Sequence, residues 1–500
     1  VGTQIDDNIM EKNLIARLLV KDKKYLLSIN TKVLDGRIFI TGKVDNPEEK
    51  LQITKAAWET KGVRSVKNDI IIKNEFNFQQ SAKDLLITSQ LRTALIFNKN
   101  IKSTNYNIDT YKKKIYIYGI AQTKNELKEV IKEAKEILDV ENVIDASGMI
   151  VTPGFIATDT EIGIVEIGAL SVTRDDRPSM YNIGFSVFDA FNPNSTLIPW
   201  NRANGITSAI TLPKYSSSPI GGLGSFFDLD SNLNISGIKD MVMVGRVGGS
   251  SSGSRAETFA LIEDLLDLAF SIEPRVVKSN AEIIKFMSEM PLVSHLDLQI
   301  RDIHALYKLA NTDLPLIIES NRASDILKLI DLKNKYNLNL VIMGAQEATL
   351  VIEQLKDSDI PLIVNPINNI PNSFDELASN INASARLEDA GITLMFNAPR
   401  DHNYHLIRQG AGVAVANGMS YSGAIKALSS NVSKTFKLGS KGLIEEGASA
   451  DLMIWDADPL EPSSMPIKVF INGIDTDLTT RSSRLRDRYT KNLDKPNIYR

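Results

Sequence analysis

Two carboxylates stand one residue apart in MIVTPGFIATDTEIG, at Asp159 and Glu161. The stretch before them is apolar, crosses a Pro-Gly and reads as a strand leaving a core. Alternate residues of a strand point to one side, so both carboxylates can face one pocket. An oxygen-rich donor set suits Mg2+, Mn2+ or Ca2+ and does not favour zinc. The competing reading is a metal-free pocket whose acids are solvated or paired with Arg174, Arg246 or Arg322.

The histidines are His295, His304, His402 and His405. His402 and His405 follow the last apolar strand candidate, in APRDHNYH. His402 is the candidate for proton transfer, because histidine titrates near neutral pH. A helix-turn histidine bonded to backbone is the plainer alternative. GSSSG at 249–253 has the letters of a nucleophile elbow around Ser251, and a Gly/Ser loop has the same letters. IGGLGS at 220–225 reads as a tight loop. The chain has no cysteine, which removes thiolate nucleophiles, disulfides and iron–sulfur sites.

Elements that can position such groups follow residue 145. SAITLP, DMVMVGRV, LPLIIES, LNLVIMG, IPLIVNP and ITLMFNAP are strand candidates. Helix-period segments follow several of them, at 322–336, 346–356 and 375–389. Near-continuous apolar strands alternating with helices predict a parallel sheet covered on both faces. Their number suits a (β/α)8 barrel, with reactive groups at the C-terminal strand ends.

The first 145 residues repeat with a constant offset of 77. Leu14 maps onto Leu91, Leu18 onto Leu95, Ile38 onto Ile115, Gly42 onto Gly119, and Glu49 onto Glu126. One register held over some sixty positions marks a duplicated module. Each copy predicts helix, two strands, helix, strand. Asp35-Gly36 suits a two-residue hairpin turn. Asn46 with Glu49, and Thr123 with Glu126, read as helix caps. Lys124, Lys128, Lys132 and Lys135 recur at helical spacing and can form a basic face toward anionic lipid. Glutamates interleave with them, so a solvated helix face is the competing reading.

At 43% hydrophobic and 24% charged, the 500 residues are ordinary for a globular chain and suggest two to four domains. No apolar run reaches the roughly 18–20 residues that span a bilayer. Residues 1–145 hold 25 Lys and Arg against 20 Asp and Glu, a net +5, and the remainder holds 32 against 41, a net −9. The excess of +5 is too mild to predict nucleic-acid binding. A start at Val1 without Met reads as a processed or truncated product.

The repeat resembles the BON domain, present twice, on its alternating strands that end at Gly42 and Gly119 and on the GVRSVKN run. That resemblance implies a module of the periplasm or outer-membrane periphery that binds phospholipid or an envelope protein. TPGFIATDTEIG, RANGITSAITLP and GLIEEGASADLMIWDADPL together resemble the imidazolonepropionase-related branch of the metal-dependent amidohydrolases over about residues 144–500. That resemblance implies hydrolysis of carbon–nitrogen bonds by a metal held on histidines and an aspartate.

Carried over position by position, the first-strand histidine pair falls at Asp159 and Glu161, the fifth-strand histidine at Glu319, and the eighth-strand aspartate at Asn397. No family ligand is retained. Asp159, Glu161 and Glu319 remain as candidate metal ligands, and His402, Asn397 and Glu319 as candidate catalytic groups. The sequence therefore predicts an α/β chain: two αββαβ BON modules at 1–76 and 77–145, an amidohydrolase-like (β/α)8 barrel at 146–440, and a partial β-sandwich with a tail at 441–500. Two functions stand open. One is an envelope hydrolase with an altered site and a small-molecule ligand in the barrel. The other is a non-catalytic lipid-binding or scaffold protein with a vestigial barrel.

Overall fold

The computed structural model describes residues 2–490, apart from 22–23, 26–28, 35–36, 45–46, 61, 73–77, 112–113, 120, 138–145, 147, 179, 234, 249–253, 401 and 446. The Asp35-Gly36 turn, Asn46, the VENVI strand and the GSSSG run with Ser251 lie outside the described residues. Two compact units emerge, Val1–Asp145 and Ala146–Arg500.

In the first module, the helix Gly2–Lys21 precedes strands Ile29–Leu34 and Arg37–Val44, which pair antiparallel. The helix Pro47–Trp58 then leads to Ser65–Ile72, parallel to Arg37–Val44. The second module repeats the helix (Phe78–Phe97), the antiparallel pair Tyr106–Tyr111 and Lys114–Gly119, and the second helix, Lys124–Glu136. Residues related by the offset of 77 occupy matching core places. Leu14 and Leu91, Leu18 and Leu95, Ile53 and Val130, and Ala57 and Ala134 are all buried. The repeat is therefore a repeat of cores, because the same stripe of each helix covers the same face of each sheet.

Thr123 caps the helix Lys124–Glu136 by accepting from the Glu126 backbone N–H at 3.1 Å. Glu126 reaches back to accept from the Gln122 N–H at 2.7 Å and the Lys102 N–H at 2.9 Å. Those backbone donors, with the Tyr106 hydroxyl, hold its carboxyl below the usual range. Glu129 and Glu133 both accept from Asn98 Nδ2, at 3.2 and 2.7 Å. Three of the interleaved glutamates thus turn toward their own module. Lys124, Lys128, Lys132 and Lys135 are all exposed on the same helix.

The second unit contains an eight-stranded sheet bent into a barrel. In order the strands are Phe155–Thr160, Ile206–Thr211, Ile220–Asp228, Gly237–Arg246, Leu316–Ser320, Leu340–Gly344, Leu362–Val364 and Leu394–Phe396. The first and last strands meet through a side chain, Thr158 Oγ1 donating to the Phe396 carbonyl at 3.0 Å. One apolar cluster takes residues from all eight strands, among them Ile156, Ile210, Phe226, Val242, Ile317, Val341, Ile363 and Met395. It fills the interior, and Val432 and Phe436 join it. Alternate residues such as Leu316 and Ile318 belong to the larger cluster under the helices.

The barrel differs from the all-parallel expectation at one strand. Ile220–Asp228 runs antiparallel to both neighbours. IGGLGS is therefore the start of a buried strand and not a loop. Gly221 has φ +146°, and a Cβ there would lie 2.7 Å from Ile183 Cα; only glycine lets that segment approach. Two helices are also shorter than expected. The segments read as 346–356 and 375–389 are helical at Ile352–Ser358 and Ala383–Asp389. Ile370, Phe374 and Leu377 are exposed in the loop between strands seven and eight.

A four-stranded sheet packs beside the barrel in the order Ile474–Asp475, Pro466–Ile471, Leu452–Trp455, Ile150–Pro153. The strand at Ile150–Pro153 pairs antiparallel with Leu452–Trp455, so it supplies the N-terminal contribution to the partial sandwich. Trp455 is fully buried, donates to Thr152 Oγ1 at 2.8 Å and stacks on Phe155 at 5.8 Å. Lys441 joins this sheet to the barrel: its Nζ lies 2.8 Å from Asp228 Oδ1, 2.7 Å from Asp451 Oδ2 and 3.2 Å from Asn472 Oδ1.

Candidate functional site

The C-terminal ends of the barrel strands enclose a cavity of about 540 Å³. Asp159 and Glu161 line it, and Thr160 between them turns away to the Ile210 carbonyl and Thr211. The period-two reading of the first strand therefore describes how these side chains are placed. Glu319 and Asn397 line the same cavity from strand five and from the end of strand eight.

The Asp159 carboxylate is fully engaged. Arg400 Nε donates to its Oδ1 at 2.6 Å, with Nη2 2.6 Å from the same oxygen, and Asn397 Nδ2 donates to Oδ2 at 3.2 Å. Arg400 Nη1 donates to the Pro213 carbonyl at 3.2 Å and lies 3.8 Å from Glu161. Burial opposes the charge on Arg400, but Asp159, Tyr215 and Glu161 outweigh it, so its pKa is raised and the guanidinium stays charged.

Glu161 also faces Arg174, whose Nη2 donates to Glu161 Oε1 at 3.2 Å and to the wholly buried Asp176 at 2.6 Å. Burial pushes the Glu161 carboxyl up, Asp176 and Asp159 add to the rise, and Arg400 and Arg174 oppose it. Glu319 faces Arg246 across two paired strands, with Arg246 Nε 3.7 Å away. Burial, reinforced by nearby Glu319, holds the Tyr215 phenol well above its ordinary range. Arg322 stands exposed at the start of the following helix.

These residues do not fit a catalytic metal. Each first-strand carboxylate already faces a tethered cation, and Asp159 has neither oxygen free. Among the described residues, no group of three or more His, Asp or Glu is arranged to hold a metal ion. Asp159, Glu161 and Glu319, the candidate ligand trio, share a cavity, and a guanidinium group stands against each of them.

His402 is not brought to the cavity. It sits at φ +78°, its Nε2 accepts from the Gly168 N–H at 3.4 Å, and its carbonyl accepts from Asn201. His405 Nδ1 lies 3.3 Å from Asn201 Oδ1, and its ring meets Trp200 edge-on. Both histidines thus fasten the loop after strand eight to the segment around residue 201. His295 and His304 are exposed on helices. The His402 ring thus has a backbone partner at Nε2, as in the plainer of the two sequence readings.

The residue that sequence reasoning passed over is Arg400. It stands three positions after Asn397, and the histidines beyond it carried the more familiar chemistry. The signal was the arginine itself: a cation at the end of the strand that must close the barrel against Asp159.

The BON domain family matches residues 6–74 and 83–151, again an offset of 77, and the amidohydrolase family matches 312–474. The second match begins just before strand five and leaves out the strands that carry Asp159, Glu161 and the reversed strand. An uncharacterized protein in the gshII 5′ region of Anaplasma centrale is 35% identical over 136 residues, covering 26% of this chain and 90% of the relative. The outer membrane lipoprotein DolP of Haemophilus influenzae is 26% identical over 145 residues, covering 29% and 74%. Among solved structures, an amidohydrolase from Thermotoga maritima MSB8 superposes with a TM-score of 0.58 at 20% identity, covering 74% of this chain and 94% of that one. This last likeness is one of fold. The chain belongs to the BON domain family, with two BON domains followed by an amidohydrolase-family domain.

Proposed function

We propose that the chain works at the cell envelope, in the periplasm at the periphery of the outer membrane. There its BON modules contact anionic phospholipid, and its barrel binds a small polar ligand without metal-assisted hydrolysis. The observation that carries the barrel half is Asp159, with one oxygen on Arg400 and the other on Asn397. Metal-assisted chemistry needs open carboxylate or imidazole donors and a position for water. Hydrolysis of carbon–nitrogen bonds at the same strand ends would require the Arg400 guanidinium to leave Asp159. Purified after growth with added zinc and manganese, the full chain is expected to carry far less than one equivalent of either metal. One equivalent retained through gel filtration, and lost in Asp159→Ala, would overturn the reading.

The envelope half is supported by the outer-membrane relative and by the lysine face of the second module. Each lysine near an anionic surface contributes about 1 kcal/mol. Changing Lys124, Lys128, Lys132 and Lys135 together to Gln is therefore expected to weaken partition onto anionic vesicles by roughly 10²–10³-fold. Sedimentation with phosphatidylglycerol vesicles measures it. Unchanged sedimentation of a folded variant contradicts the lipid contact.

A further inference from the structure

We propose that the barrel cavity binds a neutral, multiply hydroxylated ligand, a sugar or polyol. This rests on the reading of the barrel as a ligand-binding domain and names its ligand class. The first observation is charge balance. Four carboxylates and four cations line the cavity, and three pairs among them already face each other, at Asp159–Arg400, Glu161–Arg174 and Glu319–Arg246. A ligand ion of either sign must compete with a tethered partner at each of these places. A neutral ligand does not.

The second observation is a set of amides whose orientation is determined. Asn397 Nδ2 donates to Asp159 Oδ2 at 3.2 Å, and Asn321 Nδ2 donates to Glu376 Oε1 at 3.1 Å. An ionised carboxylate only accepts, so the amide nitrogen must face it in both cases. The other end of each amide is then an acceptor. Asn397 Oδ1 and Asn321 Oδ1 are both buried and have no partner in the protein. A buried acceptor without a donor is costly, and a ligand O–H or N–H relieves that cost.

The third observation is the presence of donors in the same lining. Gln346 lines the cavity, 3.2 Å from the Ser379 hydroxyl, and its amide carries two donor hydrogens. Lys214 lines the mouth and is exposed. The lining therefore holds both acceptors and donors. A hydroxyl donates and accepts at one atom, so it answers both. A carboxylate leaves the amide oxygens unmet, and an ammonium leaves the donors unmet. The volume of about 540 Å³ falls within the roughly 300–1,000 Å³ of small-ligand sites.

Calorimetric titration of the full chain with glucose, N-acetylglucosamine, trehalose and inositol tests the proposal, with glucuronate and glucosamine as charged counterparts. At least one neutral compound is expected to bind, with affinity changing less than about twofold between low and high salt. The charged counterparts should bind at least about tenfold more weakly. Asn397→Leu and Asn321→Leu should each weaken the neutral ligand about tenfold or more. Gln346→Ala, with the fold checked by circular dichroism, should weaken it several-fold and serves if either leucine variant fails to fold. Tighter binding of a charged counterpart, neutral binding untouched in the folded variants, or no neutral binding at millimolar concentration would overturn the proposal. Elemental analysis of the same sample separates the two readings. Stoichiometric metal overturns the metal-free barrel, whereas a metal-free chain that binds none of these sugars overturns only the ligand class.

Discussion

Arg400→Met is expected to lower the unfolding free energy of the barrel by about 3–5 kcal/mol. The side chains involved are largely covered, 18% exposed for Arg400 and 8% for Asp159. Removing the cation leaves Asp159 with one amide donor and Glu161 with Arg174 alone. The cost is that of an uncompensated buried charge and not merely of a lost contact. Asp159→Asn placed on top of Arg400→Met should recover part of the loss, and the double-mutant cycle measures the coupling. The penalty should also depend on pH. The Glu161 carboxyl already lies above its ordinary range, so folding favours its protonated form. Its favourable contribution is present below the ordinary carboxyl range and is lost as pH rises through the raised value. Without Arg400 that value rises further, so the variant should lose least in acid and most at neutral pH. Urea unfolding followed by tryptophan fluorescence at several pH values checks both. A loss below 1 kcal/mol at neutral pH would mean that the pair is not held as described.

Lys441→Met is expected to cost a similar 3–5 kcal/mol. Its ammonium sits between Asp228 and Asp451, whose side chains are 3% and 2% exposed. Methionine preserves the stem volume but strands two buried carboxylates. Burial lowers the Lys441 pKa, and the two aspartates more than offset it, so the value is raised overall. The stabilisation is therefore fully present below the ordinary lysine range and is lost only as pH rises through the raised value. Across neutral pH the penalty should be flat, unlike that of Arg400→Met. Because Lys441 links strand three to the small sheet, its loss should also loosen that sheet. Faster amide exchange at Leu452–Trp455 reports this, and protection equal to the parent chain argues against the link.

Much of the fold was legible because it is written in local periods. The offset of 77 placed Leu14 and Leu91 in matching cores, and the alternation around Thr160 turned Asp159 and Glu161 to one side. The reversed third strand was not legible. Ile220–Asp228 is buried along its whole length, so no alternation of its residues marks its direction. The site was half legible. Its carboxylates announced themselves, and Arg174 and Arg246 were among the arginines weighed as partners. Arg400 was missed because its contact with Asp159 spans 241 residues and exists only once strand eight closes against strand one. The histidines misled because residue type suggests chemistry, while position decides it. His402 and His405 stand near the right strand end, but His402 Nε2 meets the Gly168 N–H and His405 Nδ1 meets Asn201.

A tethered guanidinium stands against Asp159, at a strand end to which the family resemblance assigns a metal ligand. Anomalous diffraction at the zinc edge, from crystals of the full chain soaked in zinc, tests it most directly. Planar guanidinium density is expected against Asp159 Oδ1, with no anomalous peak within coordination distance of Asp159 or Glu161. A peak bridging those two carboxylates, with Arg400 swung away, would contradict it.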